Sequence, residues 1–164
     1  MPSWVVSEAV LPQPVIRLAT VHDLPRVVAL IRGGAPPGAA SDDDPGPPLP
    51  QAYLDAFAAI EADPNTRLFV ADYDGHVAGT FQFTSVPGIG HRGGRVAQVE
   101  SVHVDAALRG RGIGEAMMRW AIDEARRLGC IRLQLASNKA RGDAHRFYRR
   151  LGFAATHEGF KLAL

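Results

Sequence analysis

A glycine-rich turn followed by an amphipathic helix constrains this chain more than any other segment. Residues 108–130, LRGRGIGEAMMRWAIDEARRLGC, place two arginines among glycines at positions 110, 112 and 114. Glycine adopts backbone angles that a Cβ would forbid, and it lets a ligand approach the amides closely. The free N–H groups and the dipole of a following helix attract an anion. Because Arg109 and Arg111 add forked donors suited to phosphate oxygens, the segment predicts a diphosphate site at the start of a helix.

The helix after this turn is predicted from the spacing of its apolar residues. They recur at helical intervals along one face, as Ile113, Met117, Trp120, Ala121, Ala125 and Leu128. Two i,i+4 ion pairs are expected on the outer face, Glu115 with Arg119 and Asp123 with Arg127. Gly129 is placed to end the helix in a left-handed conformation.

The order of the glycines distinguishes this turn from other phosphate-binding loops. A dinucleotide fingerprint requires G-x-G-x-x-G with an acid about 20 residues later, and a Walker loop requires Gly-Lys-Ser/Thr. Neither pattern is present. The order here is Arg-x-x-Gly-x-Gly, directly after the strand-like run VAQVESVHV. This order resembles motif A of the GNAT superfamily of N-acetyltransferases.

A second segment supports the same resemblance. Residues 143–153, DAHRFYRRLGF, are similar to motif B of that family, Ala-x-x-Phe/Leu-Tyr-x-x-x-Gly-Phe. The matching residues are Ala144, Phe147, Tyr148, Gly152 and Phe153. The similarity runs from about Ile16 to the C-terminus. It implies an α/β (α+β) fold, in which helices flank a mixed, mostly antiparallel sheet and a splayed pair of strands holds the cofactor.

The resemblance also implies that acetyl-CoA is the acyl donor and that no metal takes part. The residues expected to bind coenzyme A are Val102, His103, Val104, Arg109, Gly110, Arg111, Gly112, Ile113, Gly114, Glu115, Asn138 and Tyr148. Many family members place an asparagine seven positions before the motif B tyrosine, where this chain has Arg141. Asn138 is the favoured substitute for that asparagine, and Arg141 is the alternative.

Acyl transfer from a thioester to an amine needs a base for the amine, a donor for the oxyanion and an acid for the thiolate. Glu100 is the expected base, since family members often carry an acid on this strand that acts through water. The alternative for Glu100 is a glutamate that only faces solvent. His103 could then act as the base, and its own structural alternative is a histidine held by hydrogen bonds. Tyr148 is the expected acid, because an ordinary tyrosine has a pKa of about 10. Its structural alternative is packing beside Phe147.

Simple alternation along the strand assigns these residues to its two faces. It predicts that Glu100 shares one face with Val102 and Val104, and that Ser101 shares the other with His103.

The rest of the chain is predicted to alternate strands and helices. A strand over VIRLA precedes a helix opened by Thr20 and Asp23, and a second helix covers Gln51 to Ala62. TRLFVADY and HVAGTFQFTSV form a hairpin through Asp74-Gly75, followed by RVAQVESVHV. After the long helix come the strand IRLQLAS and a closing hairpin over FAATHEGFKLAL.

Two loops carry conflicting indications about the amine acceptor. The Pro-rich loop contains Asp42, Asp43 and Asp44, which could attract a cationic amine, although charge runs are usually solvated. The loop GIGHRGG, with His91, Arg92 and the following Arg95, could favour an acidic acceptor instead. The acceptor is therefore a small molecule, amino acid or peptide amine whose charge the sequence leaves open.

Length and composition fit one acetyltransferase domain over 15–164, after an N-terminal extension over 1–14 and with a mobile loop over 33–50. The chain has 164 residues, 46% hydrophobic and 21% charged, with a formal net charge of +1. The sequence contains no basic patch interleaved with aromatic residues, so nucleic-acid binding is not expected. A single cysteine, Cys130, and an N-terminus without a signal-peptide or membrane pattern favour the cytoplasm. The sequence leaves the oligomeric state open, and the resemblance adds a homodimer as one candidate, since many family members form dimers.

Three functions are compatible with these features. The first is an acetyl-CoA-dependent N-acetyltransferase, the second is a non-catalytic acyl-CoA binding or sensing module, and the third is a structural or partner-binding domain. Tyr148 and Glu100 together favour the first.

Overall fold

One mixed sheet forms the centre of the protein. The structure is a computed structural model that describes residues 12–35 and 41–164. The strands lie side by side in chain order, as β1 (Val15–Leu18), β2 (Thr66–Tyr73), β3 (His76–Val86), β4 (Val96–Val104) and β5 (Arg132–Leu135). Neighbours from β1 to β4 are antiparallel, whereas β4 and β5 are parallel. The predicted mixed, mostly antiparallel sheet is confirmed.

Helices cover both faces of this sheet. They are α1 (Leu24–Gly33), α2 (Gln51–Ala62), the short turn α3 (Gly90–Gly93), α4 (Ile113–Arg127) and α5 (Gly142–Arg150). Two 3-10 turns, Val21–Asp23 and Ala106–Leu108, precede α1 and α4. None of the helices within 12–35 and 41–164 has the length and apolarity that crossing a bilayer requires.

The β2–β3 hairpin follows from its turn residues and from its apolar pattern. Asp74 and Gly75 have φ values of 53° and 76°, which suit the twist of a two-residue hairpin turn. In β2, Leu68 packs with the cluster beneath α1 and α2, while Phe69 packs with the cluster beneath α4. Both faces of the strand are therefore buried, as expected for a central strand.

Helix α4 supplies most of one core layer. Met117, Met118 and Ala121 have no exposed area and pack on residues of β2, β3 and β4. The half-buried ring of Trp120 lies 4.3 Å from the ring of Phe69, centroid to centroid. The helix ends as predicted at Gly129 (φ 67°), whose N–H donates to the Arg126 carbonyl.

Only one of the two ion pairs predicted on α4 forms. Arg119 Nη2 lies 2.7 Å from Glu115 Oε1, as expected for an i,i+4 pair. The pair of Asp123 with Arg127 is wrong, since Asp123 pairs with Arg126 and Arg127 pairs with Glu124. Both observed pairs have i,i+3 spacing, which places side chains equally close on a helix.

The closing hairpin predicted over residues 153–164 is wrong. These residues form no strand, and residues 154–164 are exposed. In the first arm only Phe153 is a large apolar residue, and the alanines and polar side chains of 154–158 that follow it give the arm no apolar face to bury. Residues 41–50 form no helix or strand, whereas α1 extends through Gly33, the first residue of the predicted loop. The predicted extension up to residue 11 and the loop residues 36–40 lie outside the described residues.

Asp23 holds the entry to α1 through charged hydrogen bonds. Its carboxylate accepts from Arg17 Nη1 (2.8 Å) and Nη2 (2.9 Å) and from the Thr20 backbone N–H (2.7 Å). The Arg17 guanidinium and the Thr20 donors outweigh burial and lower the pKa of Asp23 to about 2.

Asp23→Asn is therefore expected to lower the free energy of unfolding by about 1.5–3 kcal/mol at neutral pH. A carboxyl with a lowered pKa stabilises the fold above its unfolded pKa of about 3.9, and this contribution is lost as pH falls toward 2. Urea unfolding at neutral and acidic pH measures both effects, with Asp55→Asn, an exposed residue on α2, as control. Equal stabilities for the two variants would contradict this role for Asp23.

Candidate active site

Strand β4 separates from β5 part-way along its length. It pairs with β5 only from Val96 to Val99, although the strand continues to Val104. The other edge of β4 remains paired with β3, with a register shift between Thr80 and Gln82. Ser101, in this region of β4, has a φ of 51°, and two residues of β4 here oppose one of β3, which is a β-bulge. Residues 100–104 of β4 therefore have one backbone edge that no described strand pairs.

The bulge changes which side chains share a face. The residues of β4 that pack on the α4 core lie on both sides of it, and they are Ala97, Val99, Val102 and Val104. Glu100 and His103 therefore lie together on the opposite face, the one covered by α1 and α2. The predicted grouping of Glu100 with Val102 and Val104 is wrong, because strict alternation assumes a strand without a bulge.

The glycine-rich turn follows the end of β4. Gly110 and Gly112 have φ values of 79° and 78°, in the left-handed region where glycine is favoured. Helix α4 begins at Ile113, so the N–H groups of residues 113–115 have no acceptor within the helix. The side chains of Arg109 and Arg111 are exposed beside them. Backbone donors, a helix N-terminus and two cations thus meet in one turn, which suits a diphosphate.

Three predicted ligand residues contribute differently to this turn. The Ile113 side chain is 1% exposed within the core, so only its backbone is available to a ligand. The Glu115 carboxylate is occupied by Arg119. A Cβ added to Gly114 would lie 3.6 Å from the side chains of both Phe147 and Val104. A Cβ would thus be at ordinary contact distance, and Gly114 lies where the two sequence motifs meet, between β4 and α5.

Asp105 joins the end of β4 to this turn, a role that the sequence reasoning missed. Its N–H donates to the Ala78 carbonyl (2.8 Å), and its Oδ1 accepts from the Ala107 N–H (2.9 Å). Its other oxygen pairs with Arg26 of α1. The signal in the sequence was an aspartate at the N-cap of the Ala106–Leu108 turn.

His103 lies half-buried on the α1 face, at the end of β4. Its Nδ1 is buried and has no hydrogen-bond partner among the described residues, so it is not the hydrogen-bonded structural histidine of the alternative prediction. Burial lowers the pKa of His103, and the charges of Arg141 and Arg109 lower it further, while Asp43 opposes them. The imidazole is therefore neutral at neutral pH and able to accept a proton.

Tyr148 lies on α5 within an aromatic cluster. Its ring meets those of Phe147 and Phe153 edge to face, at centroid distances of 5.2 and 5.8 Å. Burial raises the pKa of Tyr148, and the nearby charge of Arg141 partly opposes that shift. The phenol thus stays protonated at neutral pH, as a proton donor must.

Two polar atoms near the ends of β4 and β5 have no partner within the described residues. They are His103 Nδ1, on β4, and Ser137 Oγ, just after β5, and both are buried. His103 Nδ1 lies against Gly34 after α1, so the groups that border the gap are the amides and carbonyls along the unpaired edge of β4. Across residues 12–35 and 41–164, no cluster of three or more His, Cys, Asp or Glu side chains could hold a metal ion.

Comparison with known proteins agrees with this geometry. A family model described as Acetyltransferase (GNAT) family matches residues 38–153. The chain belongs to the GNAT family. Aminoalkylphosphonate N-acetyltransferase of Salmonella typhimurium is 35% identical over 114 residues, which cover 70% of this chain and 73% of that protein. Glucosamine 6-phosphate N-acetyltransferase 1 of Oryza sativa subsp. japonica is 36% identical over 93 residues, 54% of this chain and 56% of that protein.

A solved structure shares the GNAT fold over almost the whole chain. It is a crystal structure from Bacillus halodurans C-125, described as a transcriptional regulator, with a TM-score of 0.87 and 38% identity. The match covers 93% of this chain and 100% of that one.

Arg141 occupies the position where many GNAT members carry an asparagine. It is half-buried and precedes α5 as its N-cap residue, and its charge acts on both His103 and Tyr148. Asn138, in contrast, is exposed and uses its side-chain oxygen to accept the Ala140 N–H (2.9 Å). The structure therefore brings Arg141 to the cleft, and cofactor binding by Asn138 stays a prediction.

The Glu100 side chain is more exposed to solvent than that of His103. Its Oε1 accepts from Gln98 Nε2 (2.9 Å) on the same face of β4. It lies on the face shared with His103, three positions earlier in the strand. This placement suits a base that acts through water, as the sequence predicted for a GNAT enzyme.

The two loops considered for the acceptor lie at opposite ends of β4. His91 and Arg92 belong to α3, before β4 begins, whereas the cleft lies at its other end. Arg95 donates to Asn65 Oδ1 (2.7 Å) and Ser85 Oγ (2.9 Å), so its guanidinium is already hydrogen-bonded at that end of the sheet. Asp43 is the loop residue whose charge acts on His103. Only the Pro-rich loop therefore borders the cleft.

Gly34 provides the space that the His103 ring occupies. A Cβ added to Gly34 would lie 1.9 Å from His103 Nδ1, whereas one added to Gly33 would meet nothing within 4 Å. Gly34→Ala is therefore expected to displace the imidazole and to lower kcat/KM about 10–100-fold, the usual cost of a small misplacement. Gly33→Ala is the matched control and should retain activity.

NMR of the His103 ring and steady-state kinetics test this prediction together. The ring resonances should shift in Gly34→Ala and stay unchanged in Gly33→Ala. Unchanged resonances in both variants would show that Gly34 does not position His103.

Proposed function

We propose that this protein transfers the acetyl group of acetyl-CoA to the primary amine of a small molecule. The observation that carries this proposal is the meeting of three features at the divergence of β4 and β5. They are the glycine-rich turn, the unpaired edge of β4, and the cluster of His103, Arg141 and Tyr148. Membership of the GNAT family supports the same reaction.

The chain divides the binding of acetyl-CoA among separate groups. The backbone of residues 110–115 with Arg109 and Arg111 would hold the diphosphate, and the edge of residues 102–104 would bind the amides of the pantetheine arm. A backbone N–H from the same edge would stabilise the oxyanion. Acetyl-CoA supplies a thioester whose carbonyl carbon is open to attack by an amine.

Proton transfer is assigned to two sides of the cleft. Tyr148 donates its phenolic proton to the sulfur that leaves, because burial keeps the phenol protonated at neutral pH. Glu100 takes the proton of the amine through water, with His103 as the alternative acceptor on the same face of β4. The amine must lose this proton, since an ammonium group has no lone pair to offer.

The acceptor is proposed to be a small amine rather than a peptide. Two relatives are named for small acceptors, aminoalkylphosphonate and glucosamine 6-phosphate. A peptide amine is the alternative acceptor, and a cytoplasmic location and a homodimer stay predictions.

A thiol-release assay tests the proposal directly. The protein is mixed with acetyl-CoA and with amino acids, aminoalkyl acids, amino sugars, aminoglycosides, polyamines and short peptides. We expect release of free thiol with at least one small amine, above the rate without protein. Binding of acetyl-CoA without release across this panel would contradict catalysis and support a sensing module.

A further inference from the structure

Arg141 differs from the other arginines of the described chain. About half of them pair with the side chain of an acid or an amide, as Arg26 does with Asp105, and the half-buried Arg67 donates to two backbone carbonyls. The arginines without such a partner are exposed at the surface, with one exception. Arg141 is half-buried, and its guanidinium makes no ion pair or hydrogen bond with a described residue. Its forked donors are therefore free to bind an anion from outside the chain.

The position of Arg141 relates it to the reacting groups. Its charge acts on His103, from β4, and on Tyr148, from α5. Arg141 is the N-cap of the helix that carries Tyr148, and His103 lies near the end of β4. Because the diphosphate of the donor is assigned to the glycine-rich turn, we assign an anion at Arg141 to the acceptor.

The other charges around His103 complete the pattern. Asp43 faces it from the Pro-rich loop, where Ser41 Oγ (2.8 Å) and Tyr53 Oη (3.2 Å) hold its carboxylate. Arg109 faces it from the glycine-rich turn, which is already assigned to the diphosphate. A negative group on one side and a free cation on the other complement an amine that also carries an acid.

We propose that Arg141 selects acceptor amines that carry an anionic group and that it binds this group during acetyl transfer. The inference rests on the proposed N-acetyltransferase function and names the substrate class of the same site. A phosphonate, a phosphate or a carboxylate would each accept the forked donors of the guanidinium. The amine would then lie beside His103 and Asp43, with its anionic end directed to Arg141.

Matched acceptors of similar length test this selectivity. The anionic set is 2-aminoethylphosphonate, O-phosphoethanolamine and β-alanine, and the comparison set is neutral ethanolamine and cationic diaminoethane. For the wild-type protein we expect kcat/KM to be about 10–100-fold higher with at least one anionic amine than with ethanolamine. The three anionic arms identify which acid the site prefers.

The variants then assign the preference to one residue. Arg141→Gln is expected to remove the difference between anionic and neutral amines while leaving the KM for acetyl-CoA within about threefold of wild type. Arg141→Lys should restore part of it, because lysine keeps the charge and loses the fork. Arg149→Gln, an exposed arginine on α5, is the matched control and should keep the full preference.

Several outcomes would overturn the inference. Equal use of neutral and anionic amines by the wild type would do so, while leaving the proposed function intact. So would an Arg141→Gln variant that keeps its preference, or one that raises only the KM for acetyl-CoA, since Arg141 would then serve the donor. Absence of thiol release with every amine would overturn the proposed function and this inference together.

Discussion

Tyr148→Phe is expected to lower kcat at least about 100-fold, the effect of removing a positioned general acid. The ring and its contacts with Phe147 and Phe153 are retained, so the affinity for acetyl-CoA should change by less than about threefold. Stopped-time thiol release measures kcat, and calorimetric titration measures acetyl-CoA binding.

The control for this variant is Tyr73→Phe. Tyr73 is 4% exposed in the core beneath α4, and it undergoes the same chemical change without belonging to the cleft. It should retain the wild-type kcat. If Tyr148→Phe also retained it, the sulfur would receive its proton from another group or from water, and Tyr148 would be a packing residue only.

The pH dependence of kcat provides a second test of Tyr148. Because burial raises its pKa, the acidic form persists across the neutral range and beyond pH 9. We expect no decline of wild-type kcat between about pH 7 and 9 from loss of this proton. A decline in that interval that disappears in Tyr148→Phe would contradict the direction of the pKa shift.

Gly112→Ala is expected to weaken acetyl-CoA binding about tenfold or more. Gly112 is the N-cap of α4 with a φ of 78°, and an alanine there costs about 1–2 kcal/mol in backbone strain. Relief of that strain is expected to shift the amides of the turn that would bind the diphosphate.

Gly129→Ala is a closely matched control for the turn. Gly129 ends the same helix with a φ of 67°, and a Cβ at either glycine would meet nothing within 4 Å. Both variants should lose a similar free energy of unfolding, measured in urea, but only Gly112→Ala should raise the Kd for acetyl-CoA. Equal Kd values in the two variants would exclude the turn as the diphosphate site.

Features that depend on short stretches of sequence were predicted well. Most of the α4 face, the helix termination at Gly129 and the hairpin at Asp74-Gly75 follow from residues close together in the chain, although the predicted Leu128 is exposed and the unpredicted Met118 is buried. The glycine-rich turn belongs to the same class, since three glycines and the start of a helix create its donors locally. The family motifs added the expectation of strands that diverge, which the early end of β4–β5 pairing confirms.

Features that depend on contacts between distant segments were not predicted. No glycine in the sequence marks the bulge near Ser101. Because of this bulge, Glu100 lies on the opposite face of β4 from Val102 and Val104. The position of the His103 ring depends on Gly34, and the role of Asp105 depends on Arg26. Gly34 and Arg26 both come from the α1 region. No local pattern links these pairs, because the fold alone brings them together.

The most direct test of the account follows both products of one reaction. Wild-type protein is incubated with acetyl-CoA and 2-aminoethylphosphonate, while free thiol is measured by colour and the acetylated amine by mass spectrometry. We expect one free thiol for each N-acetylated amine, at a rate that falls in Tyr148→Phe and stays unchanged in Tyr73→Phe. Acetyl-CoA that binds without yielding an acetylated amine, with this and every other amine of the panel, would contradict this expectation.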